Sequence, residues 1–472
     1  MEKINLKNKK ILPFKFKKLK SGKYFLSNDF GQWLILSERE FNDFIDGKTS
    51  SELEDRLVSA GMQKSSRLDK NDEMYIKYLA GKWLNRYHYI MQGPSLHIIV
   101  LTLACNHSCK YCHASAKIDD SGKYHLSNEK IKKTIDVIFN TTAGAIDIEF
   151  QGGEPTANWE GLKYAVEYIH EKNKVYNLKV NINLVSNLTM IDDEKMNFLL
   201  DNGVDISTSI DGPKEVHDWN RAWIGDTSSF ETVSKWVKKI NFEYEKRGLE
   251  KKVGAICTVT NKLLDKPQEL VDTYISLGLD NIFVRPLNPY GMATKLWDSI
   301  GYNYEEYWSF YEKMLDYIEN KQEKGINISD TYSHKIHCGN LRSSKRINYM
   351  EERSPCGAVL GQVAYNWDGG IYTCDEGRML AQTGDCSFKI GEIDNRSAEE
   401  IYKSMVLDVV TKVMLSASII DYLPGYDTNP VSNYIGTCPI YSYTISGNIN
   451  SKYKKEDRFK LQEDTLERLV DQ

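Results

Sequence analysis

Residues 96–112 read LHIIVLTLACNHSCKYC, an apolar run that passes directly into a loop carrying three cysteines. The run over residues 96–103 has the length and β-branched content of a buried strand. Cys105, Cys109 and Cys112 gather three soft ligands with no fourth nearby, whereas a closed metal site takes four. Three thiolates on a cubane iron–sulfur cluster would leave one iron open to a small molecule, just as catalytic metal sites keep a vacancy. The same thiols with His107 or His113 could also hold structural zinc.

Working outward, further strands are expected at 145–150, 180–186, 205–210, 254–259 and 282–285. Between them lie amphipathic helical patterns such as NEKIKKTIDVIF and FETVSKWVKKINFEYEK. Six strands with helical crossovers imply an α/β fold, a parallel partial (β/α)6 barrel of TIM-like type. In such barrels functional groups collect at the carboxyl ends of the strands. The cysteine loop follows the first strand, FQGGEPT (150–156) the second, LVSNLT (184–189) the third and STSIDG (207–212) the fourth. Zinc would give no reason for this series.

The Cys-x3-Cys-x2-Cys loop with Tyr111 before its last cysteine, joined to GGEP, resembles the radical S-adenosylmethionine superfamily. The resemblance implies a [4Fe–4S] cluster on Cys105, Cys109 and Cys112 and S-adenosylmethionine as cofactor. It implies that Gly152, Gly153 and Glu154 receive the cofactor's amino group, that Ser186 and Asn187 form the polar pair at the third strand end, that Ser209 and Asp211 lie near the ribose, and that Arg221 grips the cofactor carboxylate.

Residues 1–90 read as a separate α+β module. Alternation around Asn28, Asp29 and Gly31 marks a hairpin, Ser37 with Glu40 a capping box, and SSELEDRLVSAGM a second helix. The barrel spans 91–325, closing with the aromatic-rich helix YNYEEYWSFYEKMLDYIEN, whose stripe reads as core packing. Residues 326–472 form a turn-rich, cysteine-bearing third unit. Within it Cys356, twelve residues, Gly369, four residues and Cys374 resemble the opening of the SPASM extension of peptide-modifying radical enzymes. Its later half is degenerate: aligned on Cys438, the earlier ligand positions hold Tyr426, Asn429 and Ile435. One auxiliary cluster on Cys356, Cys374 and Cys438 remains conceivable, with Cys386 or Cys338 nearest in sequence as the fourth ligand. A second would lack ligands, since isoleucine has no donor atom. The chain as a whole is most similar to the His-Xaa-Ser system radical maturases.

With 472 residues, 41% apolar content and a formal net charge of −5, the chain has cores to fill and no global basic field for nucleic acid. No apolar run reaches the length of a membrane span, and nine cysteines in a long chain fit a reducing cytoplasm. The expected partners are a ribosomally made precursor peptide, its leader held by the first module, and a reductase, flavodoxin or ferredoxin as electron donor. Lysines alternating with apolar residues in FKFKKLK (14–20) suit an acidic leader, or else protect an exposed strand edge. The expected reaction is a crosslink or related C–H modification. Formylglycine formation in a sulfatase and a retired peptide-binding protein are the alternatives. No catalytic acid or base stands out; Asp375 and Glu376 qualify only by lying beside Cys374.

Overall fold

The computed structural model describes residues 10–64, 72–90, 92–224, 228–343 and 345–471. Its first module is an antiparallel sheet of β1 (Lys15–Lys18), β2 (Tyr24–Ser27) and β3 (Trp33–Leu36), in that order. The hairpin between β2 and β3 turns through Asn28, whose side-chain oxygen accepts from the backbone N–H of Phe30 and Gln32. Helix Glu38–Asp46 starts on the reciprocal Ser37–Glu40 capping box and ends on Gly47 in the left-handed region. Helices Ser51–Ser59 and Asp72–Arg86 complete the module.

The barrel strands follow the apolar runs to within two residues: β4 (Leu96–Thr102), β6 (Ala145–Gly152), β7 (Lys179–Val185), β8 (Val204–Ser209), β10 (Gly254–Thr258) and β11 (Asn281–Arg285). Two three-residue strands, β5 (His107–Cys109) and β9 (Arg221–Trp223), pair with each other outside this sheet. The helices expected between strands pack on one face, where Ile131, Leu162, Val166, Val237 and Leu270 join one core with the strand residues Ile99, Ile148 and Leu184. Helix Tyr304–Glu323 adds Tyr307, Tyr311 and Met314 to that core, as its stripe predicts.

The third unit enters the same sheet. β12 (Ser329–Asp330) extends one edge beside β11, while β13 (Gln362–Tyr365) lies parallel to β4 and carries β14 (Gly370–Tyr372) and β15 (Lys389–Glu392) antiparallel. The resulting order is β12-β11-β10-β8-β7-β6-β4-β13-β14-β15. It is an open, mostly parallel sheet; among the described residues no strand closes it into a full barrel. No described helix is long and apolar enough to cross a membrane.

The first module is built onto the third unit. Phe25 packs with Tyr434, Ile435, Tyr426 and Phe459 in a shared core, and Trp33 Nε1 donates to the Leu341 carbonyl at 2.8 Å. Asn433 donates to Ser27 Oγ at 2.9 Å and to the Asn28 carbonyl at 2.8 Å. Two of the three β1 lysines are committed to this contact: Lys15 reaches Asp421 at 3.3 Å, and Lys17 pairs with Glu463 at 3.0 Å and with Glu467. Lys15 and Lys17 are therefore engaged inside the chain and not free to attract an acidic leader, while Lys18 and Lys20 stay exposed beside the edge strand.

The three non-cysteine positions sit in this junction. Tyr426 and Ile435 are fully buried in the shared core, and Tyr426 shares a 2.6 Å hydroxyl bond with Ser451. Asn429 donates to Glu463 at 2.8 Å. The volume is filled by packed side chains, which leaves no room for a cluster there. Phe25→Ala should cost about 3–5 kcal/mol and appear in thermal unfolding as an early transition of the first module. An unchanged melting curve would show that the junction carries no stability.

Candidate active site

The cysteine loop is held as a clasp. β5 pairs antiparallel with β9, placing Cys109 opposite Arg221, and the backbone N–H of Lys110 donates to the Asn220 carbonyl at 2.9 Å. Sulfur atoms receive backbone donors: His107 N–H to Cys105 Sγ at 3.3 Å and Ala116 N–H to Cys112 Sγ at 3.4 Å. Asn187 Nδ2 also approaches Cys105 Sγ, at 3.8 Å. Such donors stabilise thiolate charge.

Left as thiols, these groups resist ionisation. Burial pushes Cys105 up, and the neighbouring Glu154 adds to it; burial pushes Cys109 up to about 11, with Arg221 opposing and Cys112 reinforcing the rise. Several thiolates here need added positive charge, which iron supplies. Among the described residues no three His, Cys, Asp or Glu side chains converge closely enough for a single metal ion. Three thiols with no fourth cysteine beside them are the donor set of a cluster that keeps one iron open.

Glu154 is fully buried at the end of β6. Its Oε1 accepts from Thr156 N–H at 3.0 Å, Thr156 Oγ at 2.5 Å and Ser186 Oγ at 2.8 Å, and its Oε2 from Asn187 N–H at 2.7 Å. Burial holds its pKa above the usual carboxylate range although all four donors work against it. The two preceding glycines are required by contact: a Cβ on Gly152, where φ is +147°, would collide with the Thr102 carbonyl, and one on Gly153 with the carbonyls of Leu103 and Ala104. GGEP thus lies directly on the start of the cysteine loop.

A second buried chain supports the other side. Arg221 Nη1 donates to Tyr111 Oη at 2.7 Å, Tyr111 donates to Asp211 Oδ2 at 2.6 Å, and Asp211 Oδ1 accepts from Thr258 N–H at 3.2 Å. Burial opposes the Arg221 charge, but Cys109, Tyr111 and Asp211 together hold its pKa well above the ordinary value. Asp211 is fully buried with its oxygens engaged inside the protein, while Ser209, half-buried, ends β8 opposite Ile256 of β10.

With this geometry in place, residues 99–244 match the model of the Radical SAM superfamily. These residues form a radical SAM domain. The chain is 25% identical over 324 residues to a cysteine-type anaerobic sulfatase-maturating enzyme of Clostridium perfringens, covering 66% of this chain and 81% of that protein. In fold it is similar to native anSMEcpe with bound AdoMet, with a TM-score of 0.62 at 17% identity over 80% of this chain and 99% of the other. It is also similar to Streptococcus suis SuiB bound to precursor peptide SuiA, at 0.54 and 14% identity over 95% of this chain and 98% of the other.

In the third unit Cys356, Cys374 and Cys438 line one small cavity with Met350, Glu376 and Arg458. Cys386 is exposed in the turn before β15 and does not line it, and neither does Cys338, at the end of the π-helix Thr331–Cys338. Proximity in sequence to Cys374 was therefore a poor guide to the fourth position. Asp375 is tied to Arg378, and Glu376 lines the cysteine cavity. Sequence reasoning missed the β5–β9 clasp, since three-residue strands leave no periodicity to read.

Gly153→Ala should destabilise the protein by about 1–3 kcal/mol through overpacking and reduce the iron retained after anaerobic reconstitution. Full iron content with an unchanged melting temperature would show that the close approach to residues 103 and 104 is dispensable.

Proposed function

We propose that this enzyme modifies a ribosomally made peptide by hydrogen abstraction, forming a crosslink or related C–H-derived product. The observation that carries the reading is the three-thiol loop, clasped to the Arg221 strand and resting on the Glu154 cradle. Cys105, Cys109 and Cys112 would hold a [4Fe–4S] cluster, which would supply the electron for reductive cleavage of S-adenosylmethionine. The chain's own residues bind and orient. Glu154, with the close-packed Gly152 and Gly153, receives the cofactor ammonium, and Ser186 and Asn187 fix that carboxylate. Arg221 meets the cofactor carboxylate, its guanidinium oriented by Tyr111, which Asp211 holds in turn. Ser209 lies on the ribose side. A reductase, flavodoxin or ferredoxin would deliver the electron.

Cys356, Cys374 and Cys438 would hold one auxiliary cluster, with its fourth position left to a group other than cysteine. The first module supports a peptide substrate. Helix Asp72–Arg86 exposes Ile76, Trp83 and Leu84, apolar side chains suited to seating a leader segment, and β3 is an edge strand an extended peptide could join. SuiB, solved with a precursor peptide, aligns over 95% of this chain, against 80% for anSMEcpe. Oxidation of a sulfatase residue to formylglycine is the second reading, favoured by the sulfatase-maturating relative.

Anaerobically reconstituted protein should cleave S-adenosylmethionine, and Cys105→Ala, Cys109→Ala and Cys112→Ala should each abolish cleavage; persistence in any one refutes the assignment. The triple variant should keep about four irons per chain, one cluster's worth. No residual iron would mean that the auxiliary site is vacant, and twice that amount would require ligands the chain does not bring together. Ile76→Glu with Leu84→Glu, both at exposed positions, should raise KM for a cognate precursor about tenfold, the loss of roughly 1.4 kcal/mol of binding, while uncoupled cofactor cleavage stays at its normal rate. Unchanged KM would remove the leader role from that helix.

A further inference from the structure

The cysteine loop comes to the surface at Lys110, between Cys109 and Cys112. The Lys110 ammonium stands 4.7 Å from the centre of the Trp219 ring. Lys262, exposed in the turn after β10, brings its own ammonium to 5.5 Å from the centre of the same ring. Trp219 belongs to helix Lys214–Asn220, and the next two residues clasp the loop: the Asn220 carbonyl accepts from Lys110 N–H, and Arg221 lies opposite Cys109. Trp219 also joins the apolar cluster of Tyr111, Leu287 and Leu296. The half-buried indole with its two lysines is therefore the outer side of a wall whose inner side carries the thiols.

The chain gathers two lysines on one ring in another place, and there it supplies an acid. Lys132 and Lys172 stand over Tyr168 at 5.1 and 5.9 Å. Asp136 joins them: it lies 3.3 Å from Lys132, pairs with Lys172 and accepts from the Tyr168 hydroxyl at 2.7 Å. At Trp219, among the described residues, neither Lys110 nor Lys262 enters an ion pair.

Acids close by in the chain are engaged elsewhere. Glu215 pairs with Lys266 at 3.6 Å, and Asp265 and Glu269 act on that same lysine. Asp218 accepts from Ser228 Oγ at 2.6 Å and from Phe230 N–H at 2.8 Å. On helix Met292–Ile300, which adjoins the Lys262 turn through Asn261, the exposed Lys295 and Asp298 offset each other. Two ammonium groups over one ring repel each other, and the indole quadrupole offsets that only in part. With a net charge of −5 the chain as a whole repels an acidic protein, so a local excess of cations marks where one could approach.

We propose that the Trp219 face, with Lys110 and Lys262, is where a small acidic one-electron carrier protein docks, one of its carboxylates taking the place that Asp136 holds beside Tyr168. The inference rests on the radical reading and deepens it by giving the electron-delivering partner its charge and its point of approach. One electron leaves the carrier and reduces the cluster held by Cys105, Cys109 and Cys112; no proton moves, and no bond forms or breaks at this face. Lys110 adjoins Cys109 in the chain, which keeps the protein layer between carrier and thiols thin. Charge pairing at such a rim speeds encounter and fixes orientation more than it adds affinity.

The test uses full-length, anaerobically reconstituted protein and two immobilised acidic carriers, a flavodoxin and a ferredoxin, with reduced methyl viologen as a small cationic reductant that needs no docking. For at least one carrier, the association rate read by surface plasmon resonance at about 0.05 M salt should fall about tenfold in Lys262→Glu and stay at the wild-type value in Lys262→Arg. Raising the salt to about 0.5 M should remove most of that difference. Lys132→Glu, the same charge change at the pair that has its own acid, should associate as the wild type does, and thermal melting verifies the fold of every variant. Cleavage of S-adenosylmethionine driven by the reduced carrier should fall in step with association in Lys262→Glu, while cleavage driven by viologen keeps its rate. No association with either carrier, equal rates for wild type and Lys262→Glu, or an equal loss in Lys132→Glu would each overturn the proposal. So would a Glu-rich decapeptide that displaces the carrier, by giving the face to a peptide. Viologen separates the two claims: cleavage without carrier association sinks only the docking face, and association without any cleavage sinks only the radical reading.

Discussion

The site depends on a buried carboxylate that has no freedom left. Glu154 draws donors from Thr156, Ser186 and Asn187, while its own N–H is given to the Ala104 carbonyl, one residue before Cys105. The ends of β4, β6 and β7 are thereby locked to one another through a single side chain. Leaving that carboxylate unpaired in the interior would be expensive, so these donors and the strand ends that carry them hold a common position. The two glycines before it make the arrangement possible, because the β6 backbone can reach the cysteine loop only where no Cβ intervenes.

The same logic explains why the third unit is not an appendage. β13 pairs with β4, the strand that launches the cysteine loop, and Gly291 and Met292 press on the Cys112 carbonyl while Tyr290 packs among Cys356, Cys374 and Cys438. His113 meets Tyr290 edge-on at 6.0 Å. The two thiol sites share walls, so a change in packing at either is felt at the other. Where further cysteines could have stood, Tyr426, Asn429 and Ile435 instead form the seat for Phe25 and the first module. That volume has become a structural joint.

Much of this was legible in the sequence, for identifiable reasons. β4, buried on both faces, reads as a continuous apolar run, whereas β6, β7 and β8 alternate apolar with polar residues, and either pattern marks its strand. The Ser37–Glu40 box marks its helix because capping is a local interaction. Pairing across long separations left no trace: Gln362 faces Leu96 in a sheet whose continuation no local pattern could announce. Helix Asp72–Arg86 went unread because Ile76, Trp83 and Leu84 are exposed instead of forming a buried stripe. Cys386 was misjudged because sequence proximity ignores the turn at Asp385, whose carboxylate accepts from Ser387 N–H at 2.9 Å and leaves the thiol outside. Lys15 and Lys17 looked available because Asp421 and Glu463, which they meet, lie more than 400 residues further along the chain.

The tyrosines show how one residue type serves two ends. On the helix Tyr304–Glu323 the stripe is core, yet its first turns, Tyr304 and Tyr307, also line a cavity of about 490 Å³ beside the end of β11. A phenylalanine could fill the same apolar volume, but it could not anchor carboxylates as Tyr332 anchors Glu352 and Tyr311 anchors Asp330 at 2.7 Å. Those hydroxyls let acidic groups stand among apolar neighbours, and Tyr332 fixes which oxygen of Glu352 is satisfied.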